Sequence, residues 1–341
     1  MKSISSLFLL LCASAFLHAQ SKPSEYKPLN KIKVEGDGGW DYLTCDASTG
    51  LLYISHGTIV QVLDVKTGTL TATIPDTKGV HGITLAPDLN KGFISNGRDT
   101  SVTVFDMKTF KETARVKVTG KNPDAILYDP FSHMVFAFNG RTSNATVIDG
   151  KTNAVAATIA LDGKPEFAAT DGKGKVFLNI ETKSTLCVIN STSLKVEQYW
   201  PIAPGKEASG LAFDAKNRRL FMVCDNNLMV IMDADNGKVI ASLPIGEGAD
   251  GVAFDPEKER AYSSNGDGTL TVVQGEKGAN YKVLETVATQ KGARTVAVDT
   301  KTHHIYMPTA EYEAVPAGSD EKKRPPLKKG SFVVLDVAPI K

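Results

Sequence analysis

The sequence lacks the cysteine patterns that mark disulfide-rich proteins, zinc ribbons and c-type haem proteins. Its 341 residues include four cysteines, with no CxxC pair and no CxxCH motif. Cys12 lies in an apolar N-terminal segment, and Cys45, Cys187 and Cys224 are widely spaced. Without Cys12 three cysteines remain, and this odd number with long spacings implies no disulfide framework. Cys45 and Cys187 fall inside strand-like segments and are predicted to be small core residues.

An excess of charge of either sign is also missing. The chain has 39 basic and 38 acidic residues. Residues 1–19 contain Lys2 as their single charged residue, so without them 38 residues of each sign remain (39 minus 1, against 38). Nucleic acids and anionic membranes attract proteins that have a basic surface. The composition therefore argues against both as the main partner.

Long apolar segments are absent beyond the N-terminus. There Lys2 precedes an apolar stretch from Ile4 to Leu17, which ends near Ala19. Spanning a bilayer takes about 20 apolar residues, whereas a basic start, a short apolar centre and a small residue are typical of a cleaved secretory signal. We expect cleavage after Ala19, no transmembrane segment, and a periplasmic or secreted protein.

Segments with helical periodicity are missing as well, and a repeat takes their place. Seven similar units recur at intervals of 40 to 44 residues, for example NPDAILYDPFSHMVFAFN and GADGVAFDPEKERAYSSN. A period of this length, built from four short strands, is typical of a β-propeller. We predict one all-β domain over residues 20–341, a seven-bladed β-propeller of four-stranded antiparallel blades, and we expect a monomer.

The last blade is incomplete at the C-terminus. Its first three strands are predicted at Ala293–Val298, His304–Met307 and Ser331–Asp336, after which the chain ends. Lys31–Val34 is predicted to supply the outer strand, which closes the ring and removes an exposed sheet edge. A long loop at residues 310–330 is predicted to lie as a lid or rim on the face where the innermost strands begin, called the top face below.

Aspartates recur at the turns between strands, for example Asp46, Asp64 and Asp129. They resemble an array of metal ligands, but Asp also closes turns by accepting hydrogen bonds from its own backbone two residues on. Gly68, Gly237 and Asn153 follow such turns and suit a positive φ. The turn aspartates are therefore predicted to be structural.

Aligning the repeats places a polar residue at the top of every innermost strand. We call these seven residues the inner ring: Asp41, His81, Asp124, Glu166, Ser209, Asp250 and Arg294. A second polar set is predicted at the top of the next strand, as an outer rim made of His56, Asn96, Asn139, Glu181 and Asn265. For the three asparagines, each followed by Gly, a turn role is the simpler interpretation. The alignment thus predicts a ligand-binding site at the top mouth of the central channel.

The charge of the inner ring indicates what this site could do. Four carboxylates and Arg294 leave about −3 when His81 is neutral, so either a carboxyl group takes up a proton or a cation fills the mouth. The first outcome offers acid–base chemistry, with His81, Glu166, Asp250 and Arg294 as candidate catalytic residues. The second makes a divalent cation possible, although the sequence contains no metal-binding motif and we assign no metal ligand.

The sequence also resembles a known family. The runs KGFISNGRDTSVTVFDMKT and DPEKERAYSSNGDGTLTVV, together with the final TAEYE…RPPLKKGSFVVLDV segment, are similar to secreted YVTN-repeat, YncE-like propeller proteins. The resemblance implies a seven-bladed propeller and export, and no particular reaction. The same fold class includes lactonases that use His, Glu and Arg in the channel, but none of their motifs matches here. No signature of haem, quinone or nucleotide binding is found.

Three functions remain open at this stage. The leading hypothesis is binding of a small polar ligand or a protein segment at the top mouth. The alternative is a lactonase-like, isomerase or lyase enzyme, in which His81 or Glu166 is the base, an Asp of raised pKa is the acid, and Arg294 stabilises an anion. A pure interaction scaffold, in which the channel holds only water, is the third.

Overall fold

A computed structural model describes residues 24–36, 38–276, 280–314 and 325–340. These residues form seven separate four-stranded antiparallel sheets, arranged as the blades of a propeller, as predicted. The predicted signal peptide, residues 1–19, lies outside the described residues. Within the part of the chain that is described, no helical segment has the length and apolar character that a membrane-spanning helix needs.

The strands follow one another along the chain, and the first strand, β1, is Tyr26–Lys33. Blades one to three contain β2 Trp40–Asp46, β3 Leu51–His56, β4 Ile59–Asp64, β5 Thr69–Ile74, β6 Val80–Ala86, β7 Lys91–Asn96, β8 Ser101–Asp106, β9 Glu112–Lys117, β10 Pro123–Asp129, β11 Met134–Asn139, β12 Asn144–Asp149 and β13 Val155–Ala160. Blades four to six contain β14 Pro165–Thr170, β15 Lys175–Ile180, β16 Thr185–Asn190, β17 Lys195–Pro201, β18 Ala208–Asp214, β19 Arg219–Cys224, β20 Leu228–Asp233, β21 Val239–Pro244, β22 Ala249–Asp255, β23 Arg260–Asn265, β24 Thr269–Glu276 and β25 Asn280–Ala288. Blade seven contains β26 Ala297–Val298, β27 Ile305–Thr309 and β28 Val333–Pro339, with β1 as its outer strand.

The apolar core lies between the blades. In the described residues seven clusters of buried side chains are found, one at each interface between neighbouring blades. Between blades four and five, for example, Phe177 and Trp200 pack with Leu220 and Met222. Because the sheets bury their faces against one another, the innermost strands alone line the central channel.

The N-terminal strand closes the ring, as predicted. β1 pairs with β28 along its length, from Tyr26 opposite Pro339 to Lys33 opposite Val333. Tyr26 is buried, and its hydroxyl lies 2.9 Å from that of Tyr262 in blade six. The N-terminal strand β1 thus contacts both the C-terminal strand β28 and, through Tyr26, blade six.

The strand boundaries in blade seven differ from the prediction. The outer strand is Tyr26–Lys33 rather than Lys31–Val34, and the innermost strand is Ala297–Val298 rather than Ala293–Val298. The second strand is Ile305–Thr309 rather than His304–Met307, and the third is Val333–Pro339 rather than Ser331–Asp336. A tight turn, in which the Gly292 carbonyl accepts a hydrogen bond from the Arg294 N–H at 2.9 Å, replaces the first part of the innermost strand.

The turn aspartates form the local hydrogen bonds predicted for them. Asp46 Oδ1 accepts from the Ser48 N–H at 2.9 Å, and Asp64 Oδ1 accepts from the Lys66 N–H at 2.8 Å. Some also connect blades, since His303 Nδ1 in blade seven lies 2.7 Å from Asp255 Oδ2 in blade six. These carboxylates on the bottom face are therefore occupied by structural contacts.

Candidate ligand-binding site

A repeated irregularity places one inner-ring residue at the top of each innermost strand. In blade one the pairing between β2 and β3 shifts by a residue between Trp40 and Leu43, on either side of Asp41. The same shift spans the ring residue in five further blades: His81, Asp124, Glu166, Ser209 and Asp250. A bulge of this kind re-aims a side chain out of the regular strand pattern. The shift therefore gives six blades a common way to present a polar group.

Hydroxyl groups on the second strand of two blades hold the backbone of the ring. Ser95 Oγ accepts from the Gly82 N–H at 2.8 Å and donates to the carbonyl of Asp124 in the next blade. Ser264 Oγ donates to the carbonyl of Arg294 at 2.6 Å, again in the next blade. These contacts fix the spacing between ring residues of adjacent blades.

Asp41, His81 and Asp124 form a close cluster from blades one, two and three. His81 Nδ1 lies 2.6 Å from Asp41 Oδ2 and 3.6 Å from Asp124 Oδ1. One ligand atom from each residue lies within 4.8 Å of the others, the single group of metal-ligand spacing found in the described residues. The three side chains are partly exposed, at 17%, 27% and 15% respectively. The cluster can therefore contact a solute.

Arg294 is paired with the carboxylates on either side of it. Its Nε lies 2.7 Å from Asp250 Oδ2, and its Nη2 lies 3.5 Å from Asp41 Oδ1. Burial lowers the pKa of the guanidinium, but Asp250 and Asp41 outweigh that effect and raise it. Arg294 is thus a fixed positive charge whose hydrogen bonds are largely committed to these two neighbours.

Lys164 is a member of the site that the sequence prediction missed. Its Nζ lies 2.6 Å from Glu166 Oε1 and 2.6 Å from Glu181 Oε2. Burial lowers the pKa of this amine, but the hydrogen bonds to the two carboxylates raise it by more. The signal was present in the alignment, two residues before the inner ring, where the other repeats have Gly39, Gly79, Asn122, Glu207, Gly248 and Gly292.

Burial, with the crowding of carboxylates as a smaller cause, raises two pKa values in the ring. Burial, followed by the charge of Asp124, raises the pKa of Glu166 to about 8, against the opposing effect of Lys164. Burial raises the pKa of Asp124 to about 6, although His81 opposes it. For His81, burial lowers the pKa, but the hydrogen bond to Asp41 and the charge of Asp124 raise it above 6.5. The ring therefore takes up protons because its carboxylates are buried and lie close together.

Two aromatic rings cross the channel next to the inner ring. Tyr42 of blade one and Phe167 of blade four are in edge-to-face contact, with centroids 5.0 Å apart. Blades one and four are on opposite sides of the propeller, so this contact spans the channel. Burial, then the charges of Asp124 and Glu166, raise the pKa of the Tyr42 hydroxyl. The channel is thus narrowed by two rings at the level of the carboxylates.

The predicted outer-rim asparagines lie inside their blades. Asn96, Asn139 and Asn265 are fully buried. Each amide nitrogen donates to side chains of the third strand in its own blade, as Asn96 Nδ2 does to Ser101 Oγ at 3.0 Å and Thr103 Oγ1 at 2.9 Å. A ligand at the mouth cannot reach them without unfolding the strand ends, so we exclude them from the candidate site.

His56 is also held within the fold. It is 1% exposed, its Nδ1 lies 2.7 Å from Gln61 Oε1, and its ring stacks on Phe332 with centroids 4.1 Å apart.

Glu181 lies at the mouth, unlike the other residues of the predicted outer rim. The turn after Asp171 is one residue shorter than in the other blades, so Ile180, opposite Pro165, takes the outer-rim position. Glu181 therefore begins a short turn, where it reaches Lys164.

The described ends of the last-blade loop lie beside Arg294. Tyr312 pairs with Leu327, and Lys328 Nζ lies 2.8 Å from Glu311 Oε2. Tyr312 and Pro325 border a cavity of about 360 Å³ that Arg294 also lines. The remainder of the predicted lid, residues 315–324, lies outside the described residues.

Comparison with known proteins supports the fold alone. No family model and no curated protein matches the chain. Among solved structures, a chain of hydrazine synthase from Kuenenia stuttgartiensis is similar with a TM-score of 0.68 and 18% identity, over 80% of this chain and 94% of that one. A chain from a crystal structure of a mitotic checkpoint complex has a TM-score of 0.72 and 10% identity, over 90% and 96% respectively. At these identities the likeness shows the propeller architecture and nothing more.

Proposed function

We propose that this propeller binds a small polar ligand with a positively charged group at the top mouth of its channel. The observation that carries the proposal is the convergence of four carboxylates from separate blades on one partly exposed ring. They are Asp41, Asp124, Glu166 and Asp250. The contact between Tyr42 and Phe167 narrows the channel next to these carboxylates. This supports a site for a small solute rather than an open, water-filled hole.

The charge of the ring supports a cationic group. With all four carboxylates ionised and His81 neutral, the two fixed cations Lys164 and Arg294 leave a charge of −2 (two minus four). At neutral pH the proton on Glu166 reduces this to −1, because the pKa of Glu166 is raised to about 8. Like charges held this close disfavour one another, and a bound positive group removes that repulsion. Lys164 is shared with Glu181 outside the ring, so its charge compensates the ring only in part.

An acid–base enzyme is the second candidate. Glu166, with a pKa raised to about 8, holds a proton at neutral pH, and a positioned protonated carboxyl group can act as a general acid. The role proposed for Arg294 as an anion stabiliser is weakened by its pairing with Asp250 and Asp41. Binding therefore has more support than catalysis.

Export and family membership remain part of the proposal. The basic and apolar N-terminal residues support a periplasmic or secreted location. The sequence motifs of the repeats support a YVTN-repeat, YncE-like protein. Sequencing the N-terminus of the protein after expression with its full leader tests the location. A start at Gln20 is expected, and a chain that retains Met1 in the cytoplasm would contradict it.

A thermal-shift screen tests ligand binding. The panel contains small amines, amino sugars, sugar acids and lactones, and the proteins are the wild type, Asp124→Asn and Asp88→Asn. Asp88 is a matched control, because it lies 3.0 Å from His133 Nδ1 outside the inner ring. We expect a cationic compound to stabilise the wild type and the control but not Asp124→Asn. Stabilisation by anions alone, or equal shifts in all three proteins, would contradict the proposal.

A further inference from the structure

The two basic side chains at the mouth, Arg294 and Lys164, are already paired with particular carboxylates. Arg294 makes its shorter contact with Asp250, at 2.7 Å. Lys164 lies between Glu166 and Glu181, at 2.6 Å from each. Two carboxylates of the inner ring, Asp41 and Asp124, are left with an imidazole between them and only a 3.5 Å contact from Arg294 to Asp41.

We propose that Asp41, His81 and Asp124 bind a divalent transition-metal ion, of which Zn²⁺ and Mn²⁺ are the candidates. The inference rests on the proposed function, since the ion is then the positive group at the mouth. Two carboxylates supply the charge of −2 that a divalent ion neutralises. An imidazole with carboxylates suits Zn²⁺ or Mn²⁺, whereas Ca²⁺ takes six to eight oxygen ligands.

The geometry requires only a small adjustment of the three side chains. Ligand atoms bound to Zn²⁺ at about 2.0–2.2 Å lie roughly 3 to 3.5 Å apart in a tetrahedral site. The candidate atoms already lie within 4.8 Å of one another. Three protein ligands leave at least one coordination position open, as in zinc sites that bind a water or a substrate.

The far edge of the His81 ring lies against Gly97. A Cβ atom on Gly97 would lie 2.6 Å from His81 Nε2 and 2.9 Å from Asn122 Oδ1, which places these two atoms at most 5.5 Å apart (2.6 plus 2.9). The side chain of Asn122 also lies beside the cluster, because its Nδ2 donates to Asp124 Oδ2 at 3.5 Å. A larger residue at position 97 would therefore displace the imidazole.

Isothermal titration calorimetry of the chelator-treated protein with ZnCl₂ tests the proposal. We expect one Zn²⁺ per chain in the wild type and an affinity lowered about 100-fold or more in His81→Asn, where a ligand is lost. His133→Asn is the matched control. Among the described residues that histidine pairs with one carboxylate, Asp88, rather than two. Asn tolerates its φ of 58°. The control should bind as the wild type does.

The outcomes separate this inference from the proposed function. Absence of Zn²⁺ and Mn²⁺ binding by the wild type, or loss of binding in His133→Asn but not in His81→Asn, overturns the metal site. If amines still stabilise the wild type through Asp124, the proposed function survives that result. If neither metals nor amines bind, both fail. Should His81→Asn not fold, Asp124→Asn provides the same comparison.

Discussion

Replacing Glu166 by Gln should remove a pH dependence of stability that the ring builds into the fold. Glu166 is 7% exposed, and burial together with Asp124 raises its pKa to about 8. An unfolded Glu has a pKa near 4.5, so the folded protein binds more protons between these values. The contribution of Glu166 to stability is therefore fully present below pH ~4.5 and is lost as the pH rises toward 8.

The size of the effect follows from the two pKa values. One pKa unit corresponds to about 1.36 kcal/mol, so a change from 4.5 to about 8 amounts to a loss of roughly 5 kcal/mol over the whole range. About 4 kcal/mol of it falls above pH 5. Gln keeps the shape of the side chain and its ability to accept from Lys164, but it does not titrate. The variant should therefore retain much more of its stability at high pH.

Urea denaturation at pH 5, 7 and 9 in the presence of EDTA measures this difference. Between pH 5 and 9 the wild type should lose on the order of 4 kcal/mol more than Glu166→Gln. Glu181→Gln is the control, because Glu181 contacts the same Lys164 nitrogen at the same 2.6 Å but is more exposed. Parallel pH curves for the wild type and Glu166→Gln would refute the reasoning.

Three further predictions concern ring closure and the mouth. Deleting residues 24–33 removes β1 and the contact of Glu25 with Arg260 at 2.6 Å, and should lower the melting temperature by about 10 °C or more; calorimetry that shows no change would disprove the closure. Gly97→Ala places a Cβ 2.6 Å from His81 Nε2, so it should weaken Zn²⁺ binding about 10-fold in calorimetry, and an unchanged affinity would argue against the role of that edge. Lys164→Met removes the cation beside Glu166 and should raise the pKa of Glu166 above about 8, measured by NMR titration; a lower value would contradict the assignment.

The repeat made the fold predictable from the sequence. Seven units with the same strand order left one arrangement for the chain, and the unpaired end of blade seven identified β1 as its partner. What the repeat could not supply was the local turn in which the Arg294 N–H donates to the Gly292 carbonyl. The equivalent Gly79, Asn122, Glu207 and Gly248 also have a positive φ, yet full-length innermost strands follow them, so the positive φ alone does not shorten the strand.

The inner ring was predictable because it depends on register, whereas the outer rim depends on side-chain direction. Six of the seven ring residues sit beside a register shift that recurs in the blades, and Arg294 sits beside a turn instead. Asn96 and its equivalents occupy a recurrent position too, but they turn inward to the third strand of their own blade. Glu181 was counted one residue out of register, because the shorter turn at Asp171 changes the spacing in that blade alone.

Paramagnetic broadening by Mn²⁺ in histidine-selective NMR tests most directly whether the top mouth attracts cations. The histidines of the described chain lie on different parts of the propeller, with His81 in the ring and His133 and His303 near turn carboxylates outside it. At substoichiometric Mn²⁺ the His81 resonance should broaden first, while those of His133 and His303 remain sharp. Broadening of His133 or His303 before His81, or no broadening of His81, would contradict the account.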